Sequence, residues 1–173
     1  MQPAENASQP HEENVDGAAA RRAAPIDPHL VLFSLTIFVS AALLFAVQPI
    51  FTKMVLPRLG GSASVWSIAI VFFQMALLAG YAYSHLLTTR VPARLTAVVH
   101  LAVMLAATPV LPLAIAAGWD RPPARAEELW TFGLFAVSIG LPFFALSANA
   151  PLLQAWFARS GHMRGEDPYF LYA

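Results

Sequence analysis

Four long stretches of this sequence contain no Asp, Glu, Lys or Arg. They are Leu30–Thr52, Leu59–Thr89, Leu95–Trp119 and Leu129–Ala158, of 23, 31, 25 and 30 residues. A helix rises about 1.5 Å per residue and the hydrocarbon core of a bilayer is about 30 Å thick, so each stretch is long enough to span. Soluble domains carry roughly 25% charged residues; this chain carries 12%, against 58% hydrophobic. A soluble bundle of very apolar helices is the weaker reading, because 18 or more consecutive apolar residues already argue for a span. The expected fold class is all-α: a polytopic transmembrane helical bundle with spans at about 30–52, 63–87, 95–115 and 129–157.

What surrounds the stretches is equally polarised. Residues 1–28 read as a disordered tail, rich in Ala, Glu, Asn and Pro and without a periodic apolar face. The tail is acidic ahead of Arg21-Arg22, and the first apolar run exceeds a typical signal-peptide core, so the segment is read as an uncleaved first span with a basic topology anchor. Four spans put both ends of the bundle on one side. That side holds Arg21, Arg22, Arg90, Arg94, Arg159 and Arg164, six basic residues against four, which predicts cytoplasmic termini.

Prolines and small residues punctuate the spans. Pro49 is expected to kink or end the first helix, with Lys53 snorkelling at the far interface and Pro57, Gly60 and Gly61 forming the turn. Ala76 and Gly80 make a small-xxx-small pair that admits a neighbouring helix. Trp66, Tyr81 and Tyr83 suit the interfaces. The third span is expected to end near Pro109 and Pro112. In the fourth, Pro142 and Pro151 each leave a carbonyl without its donor four residues earlier, at Ser138 and Ser147. Asp167-Pro168 resembles a helix start, an N-cap acceptor followed by proline, and the apolar Tyr169–Ala173 follows. A fifth helix that breaks off after one turn is the expectation, and with it a truncated chain.

Several stretches together carry a family resemblance. They are Val47–Pro57 with Leu59-Gly60-Gly61-Ser62, Val65-Trp66, Phe72-Phe73-Gln74, Leu78–His85, Leu141–Gln154 and Asp167–Ala173. These resemble the membrane portion of bacterial fused major-facilitator/spermidine-synthase-like proteins, over about Leu30 to Ala173. The resemblance implies a major-facilitator-like bundle in a bacterial inner membrane, transporter-like or membrane-anchoring, ahead of a soluble aminopropyltransferase-like domain. This chain stops before any such domain, and no glycine-rich nucleotide-binding turn is present, so aminopropyl transfer does not carry over to it. A membrane-tethered aminopropyltransferase with its catalytic part elsewhere, and a structural membrane partner, are the alternatives.

Candidate ligand-contacting residues are few. Gln48, Pro49 and Lys53 would meet an anion if the helix broke at Pro49, although a helix end with a snorkelling lysine is simpler. Gln74, mid-span, needs hydrogen-bond partners and is expected to face the bundle interior. His100 lies within the third span and His85 near the end of the second; a neutral hydrogen-bonded role is the default for both. The preferred site is Pro142–Pro151 with Ser147 and Asn149, because two prolines nine residues apart are expected to unwind a helix at membrane depth.

The remaining function classes narrow by composition. With no Cys there is no disulfide or thiolate chemistry, and zero net charge leaves no basic footprint for nucleic acid. No His, Asp or Glu cluster has metal-ligand spacing, and no cofactor or catalytic residue is expected. A polyamine would be met by carboxylates or aromatic faces; the spans offer only aromatics such as Trp66, Tyr81 and Phe143. The expected partners are the lipid bilayer, missing C-terminal helices or a partner membrane chain, and a small molecule, a polyamine or another.

Overall fold

A computed structural model describes residues 28–119, 121–123 and 125–159. The expected tail up to Asp27 and the expected fifth helix at Asp167–Ala173 lie outside the described residues. By its contacts the chain divides into Met1–Leu32 and Phe33–Ala173, and the packing below is that of the second unit.

The described elements are helical. Helix α1 is Pro28–Val55 and runs into a 3-10 turn at Leu56–Leu59; α2 is Ala63–Arg90; α3 is Ala93–Ala107, followed by a 3-10 turn at Thr108–Val110. The fourth span is α4 (Glu127–Phe135), a π turn (Ala136–Gly140) and α5 (Leu141–Ala158) in one run. The four helical runs, Pro28–Leu59, Ala63–Arg90, Ala93–Val110 and Glu127–Ala158, are each long and apolar enough to cross a membrane. This agrees with the four charge-free stretches.

Three boundaries differ from the sequence expectation. Pro49 neither ends nor interrupts α1, which continues to Val55. Proline removes one backbone bond, but in hydrocarbon the remaining carbonyls have no water to turn to, so continuing the helix costs less than opening it. The third span stops at Val110, beside Pro109 and Pro112 as those prolines predict and short of the outer bound at 115. Pro109 and Pro112 supply no N–H, and Leu111–Trp119 is non-helical. The fourth span is not unwound between Pro142 and Pro151; α5 passes through Pro151. The irregularity instead precedes Pro142, as the π turn. Ser138 is the residue whose carbonyl Pro142 leaves without a donor, and an i→i+5 turn offers that carbonyl the next N–H, from Phe143.

Contacts fix the relative directions of the helices. Gly80 lies against Ser147, and Ser84 donates from Oγ to the Ala148 carbonyl at 3.2 Å, so α2 and α5 run parallel. Phe33 packs on Phe157, with ring centroids 5.5 Å apart, while Phe51 packs on Phe135 at the other end, so α1 runs antiparallel to the fourth span. The pairs His100–Asn149 and Thr96–Trp156 make α3 antiparallel to α5 as well. This alternation is what short connections between successive spans require.

Two packing devices hold the bundle. The first is an aromatic cluster of Phe51, Phe72, Phe73, Phe135 and Phe143, all buried. Phe73 meets Phe143 at 4.8 Å and Phe135 edge-on at 5.7 Å between centroids. Edge-to-face pairs contribute about 0.5–1.5 kcal/mol each beyond area burial. The second is the small-residue contact of α2 with α5, where Ala76, Gly80 and Ser84 let the backbones approach. Lipid tails are as apolar as Leu, so close packing and interhelical hydrogen bonds decide association in a bilayer. The Leu111–Trp119 segment folds back, with Leu113, Ile115 and Trp119 packed on the core. The Ala116 N–H donates to Ser138 Oγ at 2.9 Å, tying this segment to the π turn.

Candidate functional site

The polar residues buried among the spans converge from four helices. Asn149 projects from α5 between α1 and α3. Its Nδ2 donates to Ser40 Oγ at 3.2 Å, and its Oδ1 lies 2.7 Å from His100 Nε2. With the amide in this orientation, Nε2 must carry the proton and donate to Oδ1. Ser40 and His100 are only 4% and 3% exposed. One amide therefore ties together residues separated by 109 and 49 positions in sequence, on three helices.

Aromatic groups close the cluster. Tyr83 of α2 has its ring centroid 6.0 Å from that of His100, and the indole of Trp156 lies 6.4 Å from the same ring. Trp156 Nε1–H donates to Thr96 Oγ1 at 3.0 Å, and the Thr96 hydroxyl donates to the Ala93 carbonyl at 2.8 Å. Two polar atoms of the cluster remain unmatched: His100 Nδ1 and the Tyr83 hydroxyl are buried without a hydrogen-bond partner among the described residues. A buried polar group left unpaired costs about 1–3 kcal/mol. Such groups in an otherwise satisfied network are where a ligand or water is expected.

An apolar cleft of about 530 Å³ lies further along the same helices, and no residue of the polar cluster lines it. It is walled by Leu43 and Val47 of α1, Leu101 and Met104 of α3, and Pro142 and Ala145 of α5. Leu43 follows Ser40 by three residues, Met104 follows His100 by four, and Ala145 precedes Asn149 by four. These are same-face spacings on all three helices. With 1.5 Å of rise per residue, the cleft begins about 5–6 Å along the bundle from the polar trio.

The candidates named from sequence are distributed unevenly over this geometry. Asn149 is at its centre. Ser147 is buried but serves a different face: its hydroxyl donates to the Phe144 carbonyl at 2.8 Å and lies 3.4 Å from the Ala76 carbonyl, against α2. Two residues apart on a helix means about 200° of rotation, so Ser147 and Asn149 do not share a site. Pro142 walls the cleft, and Pro151 lies within α5 about one and a half turns before Trp156. Gln48, Pro49 and Lys53 are not brought to the cluster. The Gln48 carbonyl accepts from Thr52 Oγ1 at 2.7 Å, and Pro49 and Lys53 are exposed.

Two orientations are corrected by the structure. Gln74 is exposed rather than turned into the bundle. The inward face of α2 is taken by Phe72, Phe73, Gly80 and Ser84, and position 74 falls outside that arc. Tyr83 does not share the outward face of the half-exposed Tyr81; it turns inward and its hydroxyl is buried.

Ser40, Thr96 and Trp156 had not been singled out from sequence, and Tyr83 only as an anchor. The available signal was a hydroxyl or ring nitrogen inside an uncharged stretch, where each needs a partner. Among the described residues no three His, Asp or Glu side chains are grouped as a metal site. Compared with protein families, with curated proteins and with solved structures, the chain has no match in any of the three.

Proposed function

We propose that this chain is the multi-pass membrane module of a larger assembly, transporter-like, holding a small molecule within the bilayer beside Ser40, His100 and Asn149. The observation that carries the reading is the three-helix hydrogen-bond junction at membrane depth, with His100 Nδ1 and the Tyr83 hydroxyl buried and unmatched beside it. Polar side chains inside spans are costly, and their usual justification is a ligand path or a helix junction. The assembly is of the fused major-facilitator/spermidine-synthase-like kind, in a bacterial inner membrane with both termini cytoplasmic. Polyamine is a poor fit to the site itself, because the charge-free stretches supply no carboxylate.

A second reading is membrane anchoring, favoured by the large apolar faces of α1 and α3. Leu32, Phe38 and Phe45 on α1 and Val98, Leu101 and Leu105 on α3 are more than half exposed. Such faces suit lipid, further helices or a partner chain.

One cysteine separates the two readings, in a chain that has none of its own. Ser40→Cys, reconstituted in lipid, is treated with the small permeant reagent N-ethylmaleimide. Reaction at position 40 in the folded protein supports a ligand-accessible site. Complete protection until the protein is unfolded makes the junction a structural pin and leaves anchoring.

A further inference from the structure

We propose that two copies of this chain pair side by side through the outward face of α2, with Gln74 of each copy bonded to Gln74 of the other at the middle of the bilayer. This face lies on a different helix from Ser40, His100 and Asn149, and the pairing does not depend on that junction.

Gln74 sets the problem. It stands at the centre of the charge-free stretch Leu59–Thr89, fifteen positions from either end. It is exposed, and its amide has no hydrogen-bond partner among the described residues. At 1.5 Å of rise per residue the ends of the stretch are about 20 Å away, beyond the reach of a glutamine side chain. The amide therefore cannot snorkel to water as a residue near a helix end does. An amide in hydrocarbon without a partner is costly, so its donor and acceptor must be met by a group outside these helices.

Gln74 does not stand alone. Ser67, Val71, Gln74, Leu78, Tyr81 and His85 follow one another by alternate steps of four and three, and all six are exposed. At about 100° per residue they fall within an arc of about 80°. Phe72, Phe73, Gly80 and Ser84, which pack into the bundle, lie outside that arc. The step of four and three is the spacing of a seam between two helices.

The polar groups select the occupant. Lipid tails offer no hydrogen bond. The hydroxyl of Tyr81, the amide of Gln74 and the imidazole of His85 can each both donate and accept, so each can bond to a copy of itself. Two chains inserted in the same sense are related by a two-fold axis along the membrane normal, and such an axis sets equivalent residues face to face at one depth. Two primary amides then pair reciprocally, each N–H donating to the other's carbonyl. An unrelated helix would have to supply matching groups at three depths, whereas a second copy supplies them by symmetry. Val71 and Leu78, 52% and 69% exposed, become the apolar contacts between the polar levels.

Single cysteines report such a seam, since the chain has none of its own. The full chain carrying Val71→Cys, Leu78→Cys or Ala79→Cys is diluted into phosphatidylcholine vesicles and oxidised with copper phenanthroline. A disulfide needs the two Cα atoms within about 7 Å. Cross-linked dimers are expected for Val71→Cys and Leu78→Cys. None is expected for Ala79→Cys, which is exposed but about 100° round the helix from position 78. Energy transfer between donor- and acceptor-labelled Ala93→Cys chains then reports association as lipid is added. Adding Gln74→Leu should weaken that association about tenfold, as loss of interhelical hydrogen bonds implies. Absence of a cross-linked dimer at all three positions overturns the proposal and leaves the face to a different helix. Equal cross-linking of Leu78→Cys and Ala79→Cys, the mark of random collision, overturns it too. So does association that Gln74→Leu leaves unchanged.

Discussion

Gly80 of α2 and Ser147 of α5 occupy the same point of the bundle: a Cβ on Gly80 would lie 3.0 Å from the Ser147 Cβ and closer still to its hydroxyl. The Ala148 backbone nitrogen is only 3.2 Å from the same position, so the clash is with main chain as well as side chain. Gly80→Ala should therefore push two helices apart at their most extensive contact. The expected loss is about 1–3 kcal/mol, the usual cost of overpacking. Ala79→Leu is the control, because Ala79 is exposed and the larger side chain meets lipid. Thermal unfolding in detergent should show a lower midpoint for Gly80→Ala and little change for Ala79→Leu; equal midpoints would refute the close approach.

The amide of Asn149 bonds in two directions, and its removal should be felt in both. Asn149→Ala leaves His100 Nε2–H and the Ser40 hydroxyl without their partner. In a double-mutant cycle with His100→Ala, the coupling is expected to be about 0.6–1.7 kcal/mol, the range found for interhelical hydrogen bonds in a bilayer. The same cycle of Ser147→Ala with His100→Ala should give close to zero, since Ser147 bonds on the opposite face of α5. Coupling of equal size in both cycles would mean that the helix is rotated from its described position.

The spans were legible and the site was only half so, for one physical reason. A stretch such as Leu30–Thr52 with no ionisable carboxylate, lysine or arginine declares a membrane helix by length alone. The same uniformity hides which face turns inward: when every side is apolar, no stripe separates buried from lipid-facing positions. Gln74 was accordingly assigned inward and lies outward, and the inward turn of Tyr83 was not legible. Asn149 was found because an amide in hydrocarbon stands out. Of its partners, His100 was read as a neutral, hydrogen-bonded histidine and Ser40 was not singled out; that both meet Asn149 was not legible, because their proximity depends on the rotation of three helices about their own axes. The prolines misled in a different way. Pro142 does disturb the helix, but the disturbance falls on the π turn before it, and Pro49 and Pro151 are carried within continuous helix.

Ser138 links that π turn to the segment after α3. Its hydroxyl is the acceptor for the Ala116 N–H, and Trp119 from the same segment packs directly over Gly133, whose Cβ position would be 2.8 Å from the indole. Ser138→Ala should free this segment locally while leaving the four spans intact. Hydrogen–deuterium exchange at Leu111–Trp119 is expected to quicken by roughly tenfold, as loss of about one hydrogen bond implies. Exchange in the middle of α2 should not change. Unchanged exchange at Ala116 would show that the aromatic contact alone holds the segment down.

Orientation is open to the same cysteine chemistry, and the alternating helix directions make the outcome specific. Ser62 follows the α1–α2 turn and is exposed; Ala93 starts α3 and is exposed. Because α1 and α2 run in opposite senses, these two positions lie at opposite ends of the bundle. Single Ser62→Cys and Ala93→Cys variants, expressed in intact bacterial cells and treated with an impermeant maleimide, should therefore never both be labelled. The basic residues counted from sequence, six on the Ala93 side (Arg21, Arg22, Arg90, Arg94, Arg159 and Arg164) against four on the Ser62 side (Lys53, Arg58, Arg121 and Arg125), predict which one is. Cysteine 62 should react in whole cells, and cysteine 93 only after the membrane is breached. The reverse pattern would overturn the cytoplasmic placement of the termini and spare the bundle. Reaction of both in intact cells would contradict the alternation of the helices across the membrane.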